Sequence, residues 1–202
     1  MRTLDFSGPM IALDRVRRAL AARRPQEVHE PGTLPAAVSL ILHPLNRGSE
    51  LEALFIKRAA RQGDPWSGQI ALPGGRHEPA DADLLATAMR ETREEVGVDL
   101  HSAELLGALD DLYPRTPTLP PVVVRPFVFA VPDRLPTNAN EEVERVFWLG
   151  FDSLDRPGVR REVKLQVRGV ERVFPAYDLG EDVIWGMTER ILTPFLDMVR
   201  DA

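Results

Sequence analysis

The segment of residues 72–98 places the strongest constraint on how this chain can fold. A glycine pair lies near its start, and a stretch with helical spacing follows over residues 82–95. Asp81 or Asp83 can cap the first turn of this helix, and Gly97 can end the last. Successive side chains of an α-helix are rotated by about 100° around its axis, which places an acidic face and an apolar stripe on different sides of this helix. The acidic face consists of Glu91, Glu94 and Glu95, and the stripe consists of Leu85, Met89, Thr92 and Val96. We therefore expect a helix that packs by its stripe and turns its glutamates towards solvent.

Clustered carboxylates beside a glycine turn have two interpretations. Like charges three and four residues apart on a helix repel each other by roughly a few tenths of a kcal/mol per pair, and such a face is often solvated surface. The same oxygen atoms are the ligands that Mg²⁺ and Mn²⁺ prefer, and Arg90 can hold Glu94 by an ion pair. Ions of this kind bridge phosphate oxygens and lower the pKa of a bound water molecule. Gly74 and Gly75 let the backbone approach a ligand closely. On the second interpretation, the carboxylates beside this turn hold metal ions that can act on a pyrophosphate.

The rest of the chain combines short apolar runs with turn signals. The pattern predicts helices over residues 9–24 and 184–199, the second of which Pro194 should kink or split. Asn46-Arg47-Gly48-Ser49 predicts the turn of a hairpin. Strands are predicted over residues 38–42, 51–58, 69–72, 104–109, 122–131, 144–149, 161–167 and 170–174. Because strands and helices mix without strict alternation, we expect an α+β fold around a mixed sheet.

The composition excludes several classes of protein. The 202 residues contain no cysteine, which rules out disulfides, thiolate metal sites and cysteine nucleophiles. The net charge of −6 argues against binding nucleic acid by bulk charge, and no apolar run reaches the length of a membrane span. The length fits one domain over residues 1–202, with residues 1–25 as an N-terminal helical extension. Without a recognisable secretory signal, we expect a cytoplasmic protein with no nucleic-acid or membrane partner.

The segment of residues 72–98 resembles the Nudix box of the Nudix hydrolases. That box is written as G, five residues, E, seven residues and then R-E-U-x-E-E-x-G-U, where U is a bulky apolar residue. Residues 90–98 match its second half at every charged and glycine position, with Thr92 in the first apolar slot. Asp81 stands where the box has its first glutamate, and Arg90 follows one residue later than in the pattern. The sequence therefore carries the box with a one-residue insertion before its helix.

The resemblance implies a Nudix-type α/β/α sandwich around a mixed β-sheet, and hydrolysis of a nucleoside diphosphate linked to another moiety. It implies ligation of Mg²⁺ or Mn²⁺ by Glu91, Glu95, Glu94 and the carbonyl of Gly75. Glu94 is a further ligand or a catalytic helper in this assignment, and Arg90 orients it. A general base outside the box would come from an acidic loop, where the candidates are Glu141, Glu142 and Glu144. We take Glu142 as the candidate base.

Segments outside the box resemble the coenzyme A pyrophosphatase-like subgroup of the family. They are residues 54–61, 68–75, 105–111 and 183–188. This resemblance implies cleavage of coenzyme A or its thioesters to 3′,5′-ADP and (acyl-)4′-phosphopantetheine. The candidate substrate-binding residues are Arg58 and Arg61 for the 3′-phosphate, Trp66 for stacking on adenine, and Gly74 for backbone contact. The subgroup's second arginine has no counterpart at its expected place, because residues 63–66 intervene.

Three other functions fit parts of the sequence. A Nudix pyrophosphatase could act instead on ADP-ribose, a nucleotide sugar or an oxidised nucleotide. A Nudix-fold protein could bind nucleotides without cleaving them, although a pure binder has no need to keep mutually repelling carboxylates. The basic N-terminal helix could instead serve as a protein-interaction module. All but the last imply a small-molecule nucleotide as partner, and a homodimer is the candidate assembly.

Overall fold

The structure, a computed structural model, describes residues 12–45, 50–64, 66–115, 120–167 and 169–202. The predicted hairpin turn at residues 46–49 and the predicted helix start at residues 9–11 lie outside the described residues. The helices are α1 (Leu13–Ala21), α2 (Leu84–Val96), α3 (Phe151–Leu154) and α4 (Gly186–Asp201). The strands are β1 (Leu34–Leu45), β2 (Glu50–Arg58), β3 (Ile70–Ala71), β4 (Gly74–Arg76), β5 (Glu104–Ala108), β6 (Val122–Ala130), β7 (Val143–Gly150), β8 (Arg160–Val167), β9 (Val170–Asp178) and β10 (Val183–Trp185). Each predicted strand is present, whereas β4, β10 and α3 were not predicted.

Seven strands form one mixed sheet around β1. β1 runs parallel to β6 and antiparallel to β2, while β5 and β7 pair antiparallel with β6 and β2. β1 and β2 pair with each other only near the hairpin, from Leu42↔Ala53 to Leu45↔Glu50. Further along, β3 pairs with the facing edge of β2 and β4 pairs with the facing edge of β1. The gap between the two central strands is therefore filled by residues 70–76, which include the glycine pair.

Each face of this sheet carries its own apolar cluster, because successive strand residues point to opposite faces. Leu42 of β1 packs in one cluster with Val16 of α1 and Phe195 of α4. Its neighbour Ile41 packs in the other cluster with Val96 of α2. The sheet thus lies between α2 on one face and α1 with α4 on the other. This is the expected α+β fold, an α/β/α sandwich around a mixed sheet.

A second, antiparallel sheet has the strand order β10-β9-β8. β10 takes residues that the sequence pattern assigns to the last helix, so the predicted helix is wrong for residues 184–185. The ring of Trp185 lies 4.9 Å from that of Phe174, a contact that the extended backbone allows. α4 begins at Gly186 and is not split at Pro194, because apolar residues on both sides of the proline are buried.

α1 is packed against the rest of the chain and is not a free arm. Leu20 is buried, the Arg15 guanidinium donates a 2.8 Å hydrogen bond to the carbonyl of Arg200, and Arg17 lies 2.6 Å from Glu104. These contacts favour the interpretation of a packed helix with a basic outer face. None of the helices in the described ranges combines the length and apolar character that a membrane crossing requires.

Candidate active site

Gly74 and Gly75 lie in β4, between β1 and helix α2. The sequence predicted a flexible turn here, but the segment pairs with β1 as a strand. A Cβ atom on Gly74, whose φ is 152°, would lie 2.3 Å from the carbonyl oxygen of Ala37. A Cβ atom on Gly75 would lie 2.4 Å from the carboxyl carbon of Glu91. Gly74 must therefore be glycine because the strand passes so close to Ala37. Gly75 must be glycine because the Glu91 carboxylate lies where a side chain would begin.

Helix α2 is fixed at both ends and in its middle. Asp83 accepts a 2.8 Å hydrogen bond from the N–H of Ala86 as the N-cap, and Gly97 ends the helix with a φ of 71°. In the middle, the hydroxyl of Thr92 lies 2.8 Å from that of Ser39 in β1, and both residues are fully buried. This contact explains a polar residue in an apolar slot of the box, and it fixes α2 against β1 beside the glycine strand.

A cavity of about 400 Å³ lies next to this strand. Its charged lining residues are Arg58, Asp64, Arg76, Glu91, Glu95 and Glu142. Aliphatic side chains line another part of it, among them Ala36, Val38, Val122, Val124 and Met187. Of the predicted site residues, those that line the cavity are Arg58, Trp66, Gly74, Gly75, Glu91, Glu95 and Glu142. Arg90, Glu94 and Arg61 are not part of its lining.

Glu95 is 3% exposed, so the expectation that it faces solvent is wrong. Its Oε2 accepts a 2.8 Å hydrogen bond from the N–H of Gly74, and its Oε1 lies 3.9 Å from Nη1 of Arg58. Burial raises the pKa of Glu95 to about 7, although the Gly74 hydrogen bond and the Arg58 charge act in the opposite direction. The helical projection took this side of α2 as solvent because it could not show that β4 lies there.

Arg90 links the acidic residues of the box by ion pairs. Its guanidinium lies 3.1 Å from a carboxylate oxygen of Glu91 and 3.1 Å from one of Glu94. It also donates hydrogen bonds of 2.8 and 3.0 Å to Asp81, and these bonds hold the pKa of Asp81 well below its ordinary value. Burial raises the pKa of Glu91, against the attraction of Arg90. Arg90 thus orients Glu91 as well as Glu94, and Glu94 is half exposed outside the cavity.

Among the three acidic candidates for a general base, Glu142 is the one that lines the cavity. The Nη1 of Arg61 donates a 2.8 Å hydrogen bond to Glu142, so Arg61 stands beside the cavity as the partner of that carboxylate. The side chain of Glu141 is 91% exposed. Glu144 pairs with Lys57 at 2.9 Å. The structure therefore distinguishes Glu142 from its neighbours by position.

Arg58 and Trp66 are joined through one carboxylate. Arg58 donates a 3.0 Å hydrogen bond to Asp64, and the other Asp64 oxygen accepts a 3.0 Å bond from the backbone N–H of Trp66. The Nε of Arg58 is buried with no hydrogen-bond partner within the described part of the chain. The loop that carries Trp66 is thus tied to a cation at the cavity wall.

Comparison with known proteins decides the family. A family model of the NUDIX domain matches residues 33–167, more than half of the chain. The chain belongs to the NUDIX domain family. The proteins named "Uncharacterized Nudix hydrolase NudL" from Salmonella typhimurium and Salmonella paratyphi B are each 32% identical over 184 residues, covering 90% of this chain and 92% of their own length. The crystal structure of a MutT/nudix family protein from Enterococcus faecalis shares the fold, with a TM-score of 0.58, 22% identity, and coverage of 94% of this chain and 70% of its own. The predicted Nudix family, fold and hydrolase class are confirmed.

The carboxylates of this Nudix chain suit a divalent cation by their chemistry, although they do not form a ready-made cage. Within the described ranges, no three acidic or histidine side chains are gathered as a metal site. Burial raises the pKa of Glu95 most, and the negative charges of Glu91 and Glu142 raise it further, which reflects repulsion among the three carboxylates. The missing Cβ of Gly75 leaves room beside Glu91. A Mg²⁺ or Mn²⁺ ion would offset this repulsion and draw the oxygen atoms together.

Sequence reasoning missed the aliphatic wall and one cation of this Nudix site. Val124 reaches the cavity because β6 runs parallel to β1 and places it opposite Ala36. Met187 arrives from the start of α4. Neither is marked by a local pattern, since long-range pairing brings them together. Arg76 was within reach of sequence reasoning, because it directly follows the glycine pair.

Proposed function

We propose that this Nudix protein uses a divalent cation to hydrolyse the pyrophosphate of a nucleoside diphosphate derivative, and that coenzyme A or its thioesters are the substrate. The observation that carries the proposal is the meeting of Glu91, Glu95 and Glu142 at one cavity with the backbone of Gly74 and Gly75. Three carboxylates that repel one another lower the stability of the fold unless they bind a cation.

Each of these residues has a distinct task in the proposed reaction. Glu91, Glu95 and the carbonyl of Gly75 would hold Mg²⁺ or Mn²⁺, which neutralises charge developing on the phosphate oxygens. Arg90 keeps Glu91 oriented through the ion pair at 3.1 Å. Glu142 would accept the proton of the water molecule that attacks phosphorus, while the P–O bond to the leaving phosphate breaks.

Two features support coenzyme A as the substrate. The segments that resemble the coenzyme A pyrophosphatase-like subgroup supply cavity residues, namely Arg58 from the first and Met187 and Thr188 from the last. The aliphatic wall suits a pantetheine arm, which carries few charges, and the Trp66 side chain offers an aromatic surface for stacking on adenine. The products would be 3′,5′-ADP and (acyl-)4′-phosphopantetheine.

A phosphate-release panel with a coupled phosphatase tests the proposal. Coenzyme A, acetyl-CoA, ADP-ribose, NADH, diadenosine polyphosphates and 8-oxo-dGTP are compared with Mg²⁺ and with Mn²⁺, and Glu95→Gln serves as the inactive control. Preference for coenzyme A species supports the substrate. Preference for another compound supports pyrophosphohydrolase activity but contradicts coenzyme A as the substrate. Nucleotide binding without turnover at any concentration of either ion overturns the enzyme and favours a nucleotide-binding protein.

A further inference from the structure

Arg76 is the cavity cation that neither the box nor the subgroup accounts for. It is the last residue of β4, directly after Gly75, and its side chain is exposed at the cavity. Its backbone is held firmly, since it pairs with Ala36 of β1 and its carbonyl accepts a 3.0 Å hydrogen bond from Arg90. The guanidinium therefore extends from a fixed base, one residue from Gly75, whose carbonyl would bind the metal.

The other arginines around the site are already engaged by carboxylates. Arg58 bonds to Asp64 at 3.0 Å, and Arg61 bonds to Glu142 at 2.8 Å. Arg90 is surrounded by three acidic residues. No hydrogen bond or ion pair joins the Arg76 side chain to another residue in the part of the chain that the structure describes. Among the described residues, the charge of Arg76 is thus not balanced by a carboxylate, whereas the charges of Arg58 and Arg61 are.

The surroundings of Arg76 make it suited to a phosphate. Its strand partner Ala36 lines the same cavity as Val122 and Val124 of β6, so the guanidinium stands at one end of an apolar wall. A guanidinium also matches the geometry of a phosphate with two parallel N–H donors. Resting on the function proposed above, we propose that Arg76 binds the 3′-phosphate of the substrate and so selects substrates with a phosphate beyond the pyrophosphate.

Coenzyme A and 3′-dephospho-coenzyme A test this assignment, because they differ only in that phosphate. In Arg76→Gln, kcat/KM for coenzyme A should fall by about tenfold or more, mainly through KM, while kcat/KM for the dephospho compound changes by less than about twofold. Arg76→Lys should recover part of the loss, since lysine keeps the positive charge but lacks the two parallel N–H donors of a guanidinium. Arg93→Gln is the matched control, because it removes the same charge from an exposed position of α2 outside the cavity and should leave both substrates unchanged.

Equal loss on both substrates, or no loss on either, would overturn the role of Arg76. Failure of the proposed substrate has a different signature, in which the unaltered protein turns over neither coenzyme A compound. In that case 3′,5′-ADP and 5′-AMP are compared as inhibitors of the hydrolysis of whichever panel compound is cleaved. If none is cleaved, their binding is compared by calorimetry with Mg²⁺. The assignment stands if 3′,5′-ADP binds more tightly and Arg76→Gln removes the difference. It falls if the two nucleotides bind equally, or if neither binds.

Discussion

The backbone N–H of Gly74 donates a 2.8 Å hydrogen bond to the buried carboxylate of Glu95, which joins the glycine strand to the face of α2 that carries the proposed metal ligands. One side chain therefore serves the fold and the proposed chemistry. In Glu95→Gln, an amide oxygen can still accept the bond from Gly74, but the charge is lost. We expect the variant to fold and its kcat to fall by roughly two orders of magnitude, because several kcal/mol of charge stabilisation are removed. Steady-state turnover together with circular dichroism measures both effects, and undiminished turnover would contradict the ligand assignment.

The same residue predicts how stability depends on pH without metal. Burial raises the pKa of Glu95 from its ordinary value of 4.5 to about 7, so the folded chain favours the protonated carboxyl. The contribution of this group to the free energy of unfolding is full below about pH 4.5, declines as the pH rises, and levels off above pH 7. The decline amounts to up to about 3 kcal/mol.

Urea denaturation in the presence of a chelator, from pH 4.5 to pH 8, measures this decline. Glu95→Gln has no group to titrate at this position, so it should gain stability relative to the unaltered protein as the pH rises through the window. Saturating Mg²⁺ should reduce the difference, since the ion stabilises the charged carboxylate. A constant difference between the two proteins across the pH range would argue against the raised pKa.

The two glycines of β4 should respond differently to alanine. In Gly75→Ala, the new Cβ meets the flexible carboxylate of Glu91 at 2.4–2.6 Å, which can move aside. We expect near-normal stability and a loss of turnover that added Mn²⁺ does not fully restore. In Gly74→Ala, the Cβ meets the backbone of Ala37 and Val38 at 2.3 and 2.5 Å, and φ is 152°. We expect that variant to lose several kcal/mol of stability, by roughly the amount that strained positions and overpacking cost together. Thermal denaturation of both variants checks the contrast, and equal stability loss would contradict it.

Glu142 and Glu141 form a matched pair of adjacent carboxylates. Glu142 lines the cavity, whereas the Glu141 side chain is 91% exposed and contacts Arg61 only at 3.6 Å. Glu142→Gln should lower kcat by about 10²–10⁴-fold, the usual contribution of a general base, with little effect on stability. Glu141→Gln should leave kcat within about twofold. Equal effects of the two substitutions would place the base elsewhere.

The box could be located from the sequence because its function depends on closely spaced residues. The helical spacing of Glu91 and Glu95, the cap at Asp83 and the stop at Gly97 are local properties, and the structure has all of them. The sequence also showed that Asp81 departs from the box, but not that its carboxylate accepts two hydrogen bonds from Arg90. A local pattern gives the residues, and only the folded chain gives their partners.

The errors arose where distant segments meet. The burial of Glu95 depends on β4 entering the gap between β1 and β2, which no helical projection can show. The sequence pattern assigned residues 184–185 to the last helix, because apolar residues at this place fit a helix or a strand equally well. Pairing with β9 makes them part of β10. The sequence likewise contained no sign that Arg61, a candidate substrate residue, pairs with Glu142. These features depend on pairing across the chain, which composition and periodicity do not encode locally.

α1 supplies a final prediction, on whether the N-terminal helix is structural. Leu20 is 6% exposed and packs in the cluster that α4 and the sheet share, so Leu20→Ala should lower the free energy of unfolding by about 2–5 kcal/mol. Arg18→Ala, on the exposed side of the same helix, should change it by less than about 0.5 kcal/mol. Since neither residue lines the cavity, kcat should be unchanged in both variants below their unfolding temperatures. Urea denaturation and turnover on the same samples measure these effects. A stable Leu20→Ala variant would show that α1 contributes little to the stability of the fold. It would favour the alternative hypothesis that the basic helix is a protein-interaction module.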